Sequence, residues 1–125
     1  MRKNSEYILY RQISTYLKYQ YPSVLYRFDM AGLNLSIAAA GMNKAIQKLR
    51  GYPDLLIIKP HPNYHSLFIE LKPEGTKLKK KNGEWATPHI AEQAEALDKL
   101  SAQGFKAVFA VGWSEAKKTI DDYLK

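Results

Sequence analysis

Gly51-Tyr52-Pro53-Asp54-Leu55-Leu56-Ile57-Ile58, a short loop, then Leu67-Phe68-Ile69-Glu70-Leu71-Lys72: two apolar runs of strand length, each carrying charge. Bounded by Gly and Pro and rich in Ile and Leu, residues 54–59 and 67–72 read as strands. The loop between them holds the turn formers Pro60, Pro62 and Asn63, and an antiparallel hairpin is the simplest connection. A loop centred near Asn63 sets Asp54 opposite Lys72, with Glu70 as its diagonal neighbour. Side chains alternate with period two along a strand, so all three point to one face. Charged groups inside otherwise apolar strands are costly unless something pairs with them.

Outward from this hairpin, the chain reads as an alternation of helices and strands. Residues 5–20 carry an amphipathic stripe of Leu9, Tyr10, Ile13, Tyr16 and Leu17, with Glu6 on the same face and Pro22 as the stop. Residues 24–29 are expected to be a strand; 33–41 are ambiguous; 43–49 suit a short helix ended by Gly51. Residues 73–86 are polar and Lys-rich, with Asn82-Gly83 as a turn signal. Thr87 and Pro88 open a helix whose inward stripe is Ile90, Gln93, Ala94, Leu97 and Leu100, ended by Gly104. A strand over 107–111 and a helix capped by Ser114 and reaching Lys125 complete the order. The pattern α-β-(α)-β-β-α-β-α predicts an α/β fold, a mixed central sheet flanked by helices, with residues 1–125 as one domain.

Composition narrows the function classes. With 46% apolar and 25% charged residues, the 125-residue chain is globular rather than disordered. A net charge of +7 favours an anionic partner such as nucleic acid, although charge alone also serves solubility. The chain has no Cys, so disulfide frameworks and thiolate metal sites are excluded. Neither a signal-peptide core nor a run long enough to span a bilayer is visible, and a cytoplasmic protein is expected.

The charged residues of the hairpin suit phosphodiester hydrolysis, which requires stabilising added negative charge and delivering a water in line. Mg²⁺ does both through oxygen ligands. Asp54 and Glu70 supply carboxylates, the Leu71 carbonyl a third oxygen, and Lys72 a cation for the water or the phosphate. Glu6 and Gln93, polar on inward helical faces, are placed to orient ligands or water. Each residue has a plainer reading: Asp54 as a turn residue, Glu70 and Lys72 as an exposed ion pair, Glu6 as a solvated first-turn residue, Gln93 as a core bridge. Convergence of all of them on one site is what favours chemistry. His61, His65 and His89 lack zinc-site spacing and read as surface residues. No Gly-x-Ser-x-Gly elbow and no Gly-rich phosphate loop is present. Lys77, Lys79, Lys80 and Lys81, followed by Trp85, form a basic segment: either a nucleic-acid contact or a solvated loop.

Pro53-Asp54 followed by Ile69-Glu70-Leu71-Lys72, with Glu6 in the first helix and Gln93 in a later one, resembles the PD-(D/E)XK nuclease superfamily and its VRR-NUC branch. The Val-Arg-Arg tripeptide that names the branch is absent. The resemblance implies a restriction-endonuclease-like core and Mg²⁺- or Mn²⁺-dependent cleavage of DNA. It implies metal binding by Asp54, Glu70 and the Leu71 carbonyl, catalysis by Lys72, and support from Glu6 and Gln93. Small stand-alone members are similar to phage-encoded nucleases that dimerise and cut branched DNA such as Holliday junctions. A homodimeric endonuclease acting in a bacterial or phage-infected cell is therefore the expectation. A nuclease-derived protein that binds DNA without cutting it is the alternative.

Overall fold

Alternation in the first strands sets the layout of the computed structural model, which describes residues 2–29, 36–49 and 51–125. Helix α1 (Arg2–Gln20) leads into β1 (Leu25–Phe28), α2 (Ile37–Ile46), β2 (Leu55–Ile58) and β3 (Leu67–Lys72). Then follow α3 (Pro88–Ala102), β4 (Lys106–Val111) and α4 (Gly112–Leu124). The strands form one sheet in the order β1-β2-β3-β4, antiparallel for the first two pairings and parallel for β3 with β4. A parallel neighbour needs a crossover, and α3 supplies it. The expected mixed sheet flanked by helices is what the chain builds.

One sheet face presents Leu55, Ile57, Leu67, Ile69, Leu71 and Ala110. Leu9, Ile13 and Leu17 of α1 cover it, spaced four residues apart, together with Ala116, Ile120 and Tyr123 of α4. At the end of this layer the Tyr16 and Tyr21 hydroxyls both donate to Asp121, at 2.5 and 2.7 Å. On the opposite face α3 buries Ile90, Ala94, Leu97 and Leu100. Its start is as the sequence reads: Thr87 Oγ1 accepts from the Ile90 N–H at 3.1 Å, and Pro88 occupies the first turn.

Three expectations need correction. The hairpin register is Leu55 against Ile69 and Ile57 against Leu67, which carries Asp54 opposite Glu70 rather than Lys72. The turn closes between His61 and Tyr64, and the Lys59 N–H folds back onto the Ile57 carbonyl at 3.2 Å. This kink takes up an extra residue on the β2 side, a bulge that shifts the pairing. The shift is even, so the shared face survives. The helix expected at 43–49 lies earlier, because Ser36 caps the Ala39 N–H at 3.1 Å and Ala38 to Ala40 favour helix; residues 33–35 lie outside the described residues. The last helix begins at Gly112, before Ser114, and the Glu115 carboxylate takes the Val111 N–H at 2.9 Å. Among the described residues, no helix is long and apolar enough to cross a membrane.

Candidate active site

Pro53 decides what happens at the open end of the hairpin. The register extended beyond Leu55 pairs Asp54 with Glu70 and Pro53 with Leu71. Pro has no N–H to give, so the ladder stops there. Instead of a backbone carbonyl, the Asp54 carboxylate takes the Leu71 N–H at 2.8 Å. In a strand the N–H and C=O of one residue point to the same edge, so the Leu71 carbonyl faces the gap beside Asp54. Asp54 is also fixed from β1, where the Asp29 N–H donates to its carbonyl at 2.7 Å.

Glu70 and Lys72 lie beside it on the same face of β3, each only 5% exposed. That burial overturns the reading of an exposed surface ion pair. The Glu70 carboxyl is pushed far above the ordinary carboxylate range, to about 10, first by burial and then by Asp54; Lys72 pulls the other way and Glu6 adds to the rise. From α1, the Tyr10 phenol is held above its ordinary value by burial and then by Asp54, with smaller contributions from Glu6 and Glu70. Glu6, half-buried, thus belongs to the electrostatic surroundings of the site. From α3, Gln93 lines the same cleft, and its buried Oε1 has no hydrogen-bond partner in the protein. Asp29, Asn43, Gln47, Tyr52, His89 and Glu92 complete a cleft of about 200 Å³ with Asp54, Glu70 and Gln93.

The chain therefore brings together Asp54, Glu70, Lys72, Gln93 and, through its charge, Glu6. The four candidate lysines do not line this cleft. They lie on the adjoining segment between β3 and α3. Two neighbours were not foreseen. Asp29 ends β1 directly against Asp54, and an acid closing a strand, as Asp54 opens one, is the signal that marks it. The sequence places Tyr10 only in the core, because an apolar stripe does not reveal which hydroxyl points at a carboxylate. His89 is exposed, as expected, yet contributes to the cleft wall.

No family model matches the sequence, and no curated protein matches it. Among solved structures, the chain is similar to one named "VRR_NUC domain protein", with a TM-score of 0.66 and 24% identity over 99% of this chain and 88% of that one. The two chains share a fold. In that VRR_NUC-type fold the open end of β2 and β3, with the starts of α1 and α3 on either side, is where this chain concentrates its buried charge.

The donor set suits a hard divalent cation. Among the described residues, no three His, Cys, Asp or Glu side chains gather tightly enough to hold a metal by themselves. Two carboxylates and the Leu71 carbonyl would leave the remaining positions of such a cation to water, the habit of Mg²⁺. Two facing carboxylates, one driven to hold its proton, and an orphaned amide oxygen are groups that a hydrated cation satisfies.

Proposed function

We propose that this chain is a metal-dependent nuclease that hydrolyses phosphodiester bonds in DNA, with Asp54, Glu70 and the Leu71 carbonyl holding Mg²⁺ or Mn²⁺. The observation that carries the reading is the pair Glu70 and Lys72, an acid and a base each 5% exposed beside Asp54 at the open end of a hairpin. A structural ion pair gives little return for that burial, whereas a site that assembles charge around a phosphate requires it. When bound, the cation offsets phosphate charge and activates water. Lys72 supplies a fixed positive charge where the phosphoryl oxygens gain negative charge. Gln93 Oε1, free to accept, orients a water hydrogen bond. Tyr10 and the Leu71 N–H hold Asp54 in place, and Glu6 sets the local charge.

The shared fold supports this reading, as does the net charge of +7. The finer reading is a homodimer selective for branched DNA, because two sites related by a twofold axis match a symmetric four-way junction. The deciding experiment incubates labelled linear duplex, single strand, flap and four-way junction with Mg²⁺, Mn²⁺ or EDTA. A parallel series uses Lys72→Met, which keeps the buried stem and removes the charge. Cleavage is expected in either metal, none in EDTA, and a loss of at least about 100-fold in the variant with DNA binding retained. Paired cuts on the junction are expected from a protein that sediments as a dimer. Tight binding with no cleavage in any metal would replace the nuclease with a DNA-binding protein of the same fold.

A further inference from the structure

The Lys-rich segment between β3 and α3 is built, not loose. Lys79 and Trp85 form an antiparallel bridge, the Lys80 N–H donates to the Glu84 carbonyl at 2.8 Å, and the Ala86 N–H donates to the Leu78 carbonyl at 2.8 Å. The Gly83 N–H closes the turn on the Lys80 carbonyl at 3.0 Å, with Gly83 at φ +88°. This is a three-residue hairpin loop ending in a left-handed residue, and it explains why Asn82-Gly83 stands at the tip. Asn82 and Glu84 lock each other, side chain to side chain at 2.9 Å and side chain to backbone at 3.0 Å.

Trp85 anchors this hairpin. Its ring lies 5.6 Å from that of Phe109, and Lys79 Nζ sits 4.7 Å over its own face. Held against Phe109 and the Lys79 ammonium, Trp85 serves as a foundation and not as a platform for a base. Phe109 pairs directly with Glu70 across β3 and β4, so the hairpin stands one strand away from the catalytic cleft. One strand spacing plus one ring contact is roughly 10 Å, about three base-pair rises. Lys77, Lys80 and Lys81 are exposed, and among the described residues none of them has an ion-pair partner.

We infer that residues 77–85 form a preorganised arm that grips the DNA phosphate backbone beside the cleft, with Lys77, Lys80 and Lys81 as its contacts and Trp85 as its anchor. The inference rests on the nuclease reading and adds where the substrate is held. Ordered lysines at fixed spacing reach successive phosphates together, and binding meets less ordering cost than the same charges on a loose loop would.

The test measures binding of a fluorescent duplex in EDTA, without turnover, across a salt series. Wild type is compared with Lys77→Ala/Lys80→Ala/Lys81→Ala and with an equal-charge control on the far helices, Lys18→Ala/Lys118→Ala/Lys125→Ala. Each phosphate contact contributes about 0.9 to the slope of log affinity against log salt, so the arm variant is expected to lose roughly 2 to 3 of slope and the control less than about 1. Equal losses in both variants, or none in the arm variant, overturn the arm. Trp85→Ala keeps every lysine and is expected to lose about 1 or more of slope, with Trp85→Phe restoring it. Full slope in Trp85→Ala overturns the anchoring. Wild type that cleaves DNA while the arm variant binds normally sinks this inference alone. Wild type that neither binds nor cleaves DNA sinks it together with the nuclease.

Discussion

Glu70 is 5% exposed, faces Asp54 across the strand pair, and is pushed by burial and by that neighbour toward its neutral form. Under the proposed function such a residue serves a bound cation at the expense of the free fold, the usual conflict between activity and stability. Glu70→Gln removes the charge and keeps the shape. In EDTA the variant is expected to melt higher than wild type, by on the order of 1 kcal/mol, while its cleavage in Mg²⁺ is lost. A variant that melts lower in EDTA would show that the Glu70 carboxylate stabilises the metal-free fold and that the conflict is absent. Much of this was legible in the sequence, because period-two alternation places Glu70 and Lys72 on one face and any even shift of register keeps Asp54 with them. Tyr10 was not, since its place beside Asp54 depends on how α1 docks, which local pattern does not encode.

Between elements, the seam of α1 and α4 turns on one carboxylate. Asp121 is partly buried, which disfavours its charge, yet the Tyr16, Tyr21 and Lys117 hydrogen bonds outweigh that and hold its carboxyl down to about 2. A carboxylate depressed in the folded state contributes its full stability above its unfolded value near 3.8 and loses it as pH falls through about 2. Asp121→Asn is therefore expected to cost roughly 1 kcal/mol at neutral pH. The gap between variant and wild type in thermal melts should be constant above pH 5 and close as pH approaches 2. A gap that persists at the acid end would assign the loss to packing instead of charge. At this scale the sequence showed the hairpin, the Thr87 cap and the order of elements. It did not show the bulge at Lys59, because Pro60 and Pro62 permit several loop centres and only the packed sheet selects one. It misplaced α2 for a similar reason: a run of small apolar residues looks alike as helix, strand or loop until its cap is seen.

For the whole molecule, the candidate site draws on Glu6 of α1, Asp54 before β2, Glu70 and Lys72 of β3, and Gln93 of α3. No one of these elements holds the site alone, so a cation that uses it would bind the folded chain and not the unfolded one. Binding free energy then appears as global stability, in proportion to the logarithm of free metal over its dissociation constant. At a hundredfold excess this amounts to about 2.7 kcal/mol. For a chain of this length that is a rise of roughly 10 °C in melting temperature. Mg²⁺ titrated into the EDTA-treated protein is expected to raise the melting temperature progressively, with a single cooperative transition throughout. Asp54→Asn, which removes a proposed ligand while sparing the helices, should show little of the rise. Ca²⁺, larger but also an oxygen-seeking cation, should stabilise without supporting cleavage, separating the holding of the ion from its use. A flat response to all three of Mg²⁺, Mn²⁺ and Ca²⁺ would remove the metal from the site, and the buried charges around Asp54 would then need another partner.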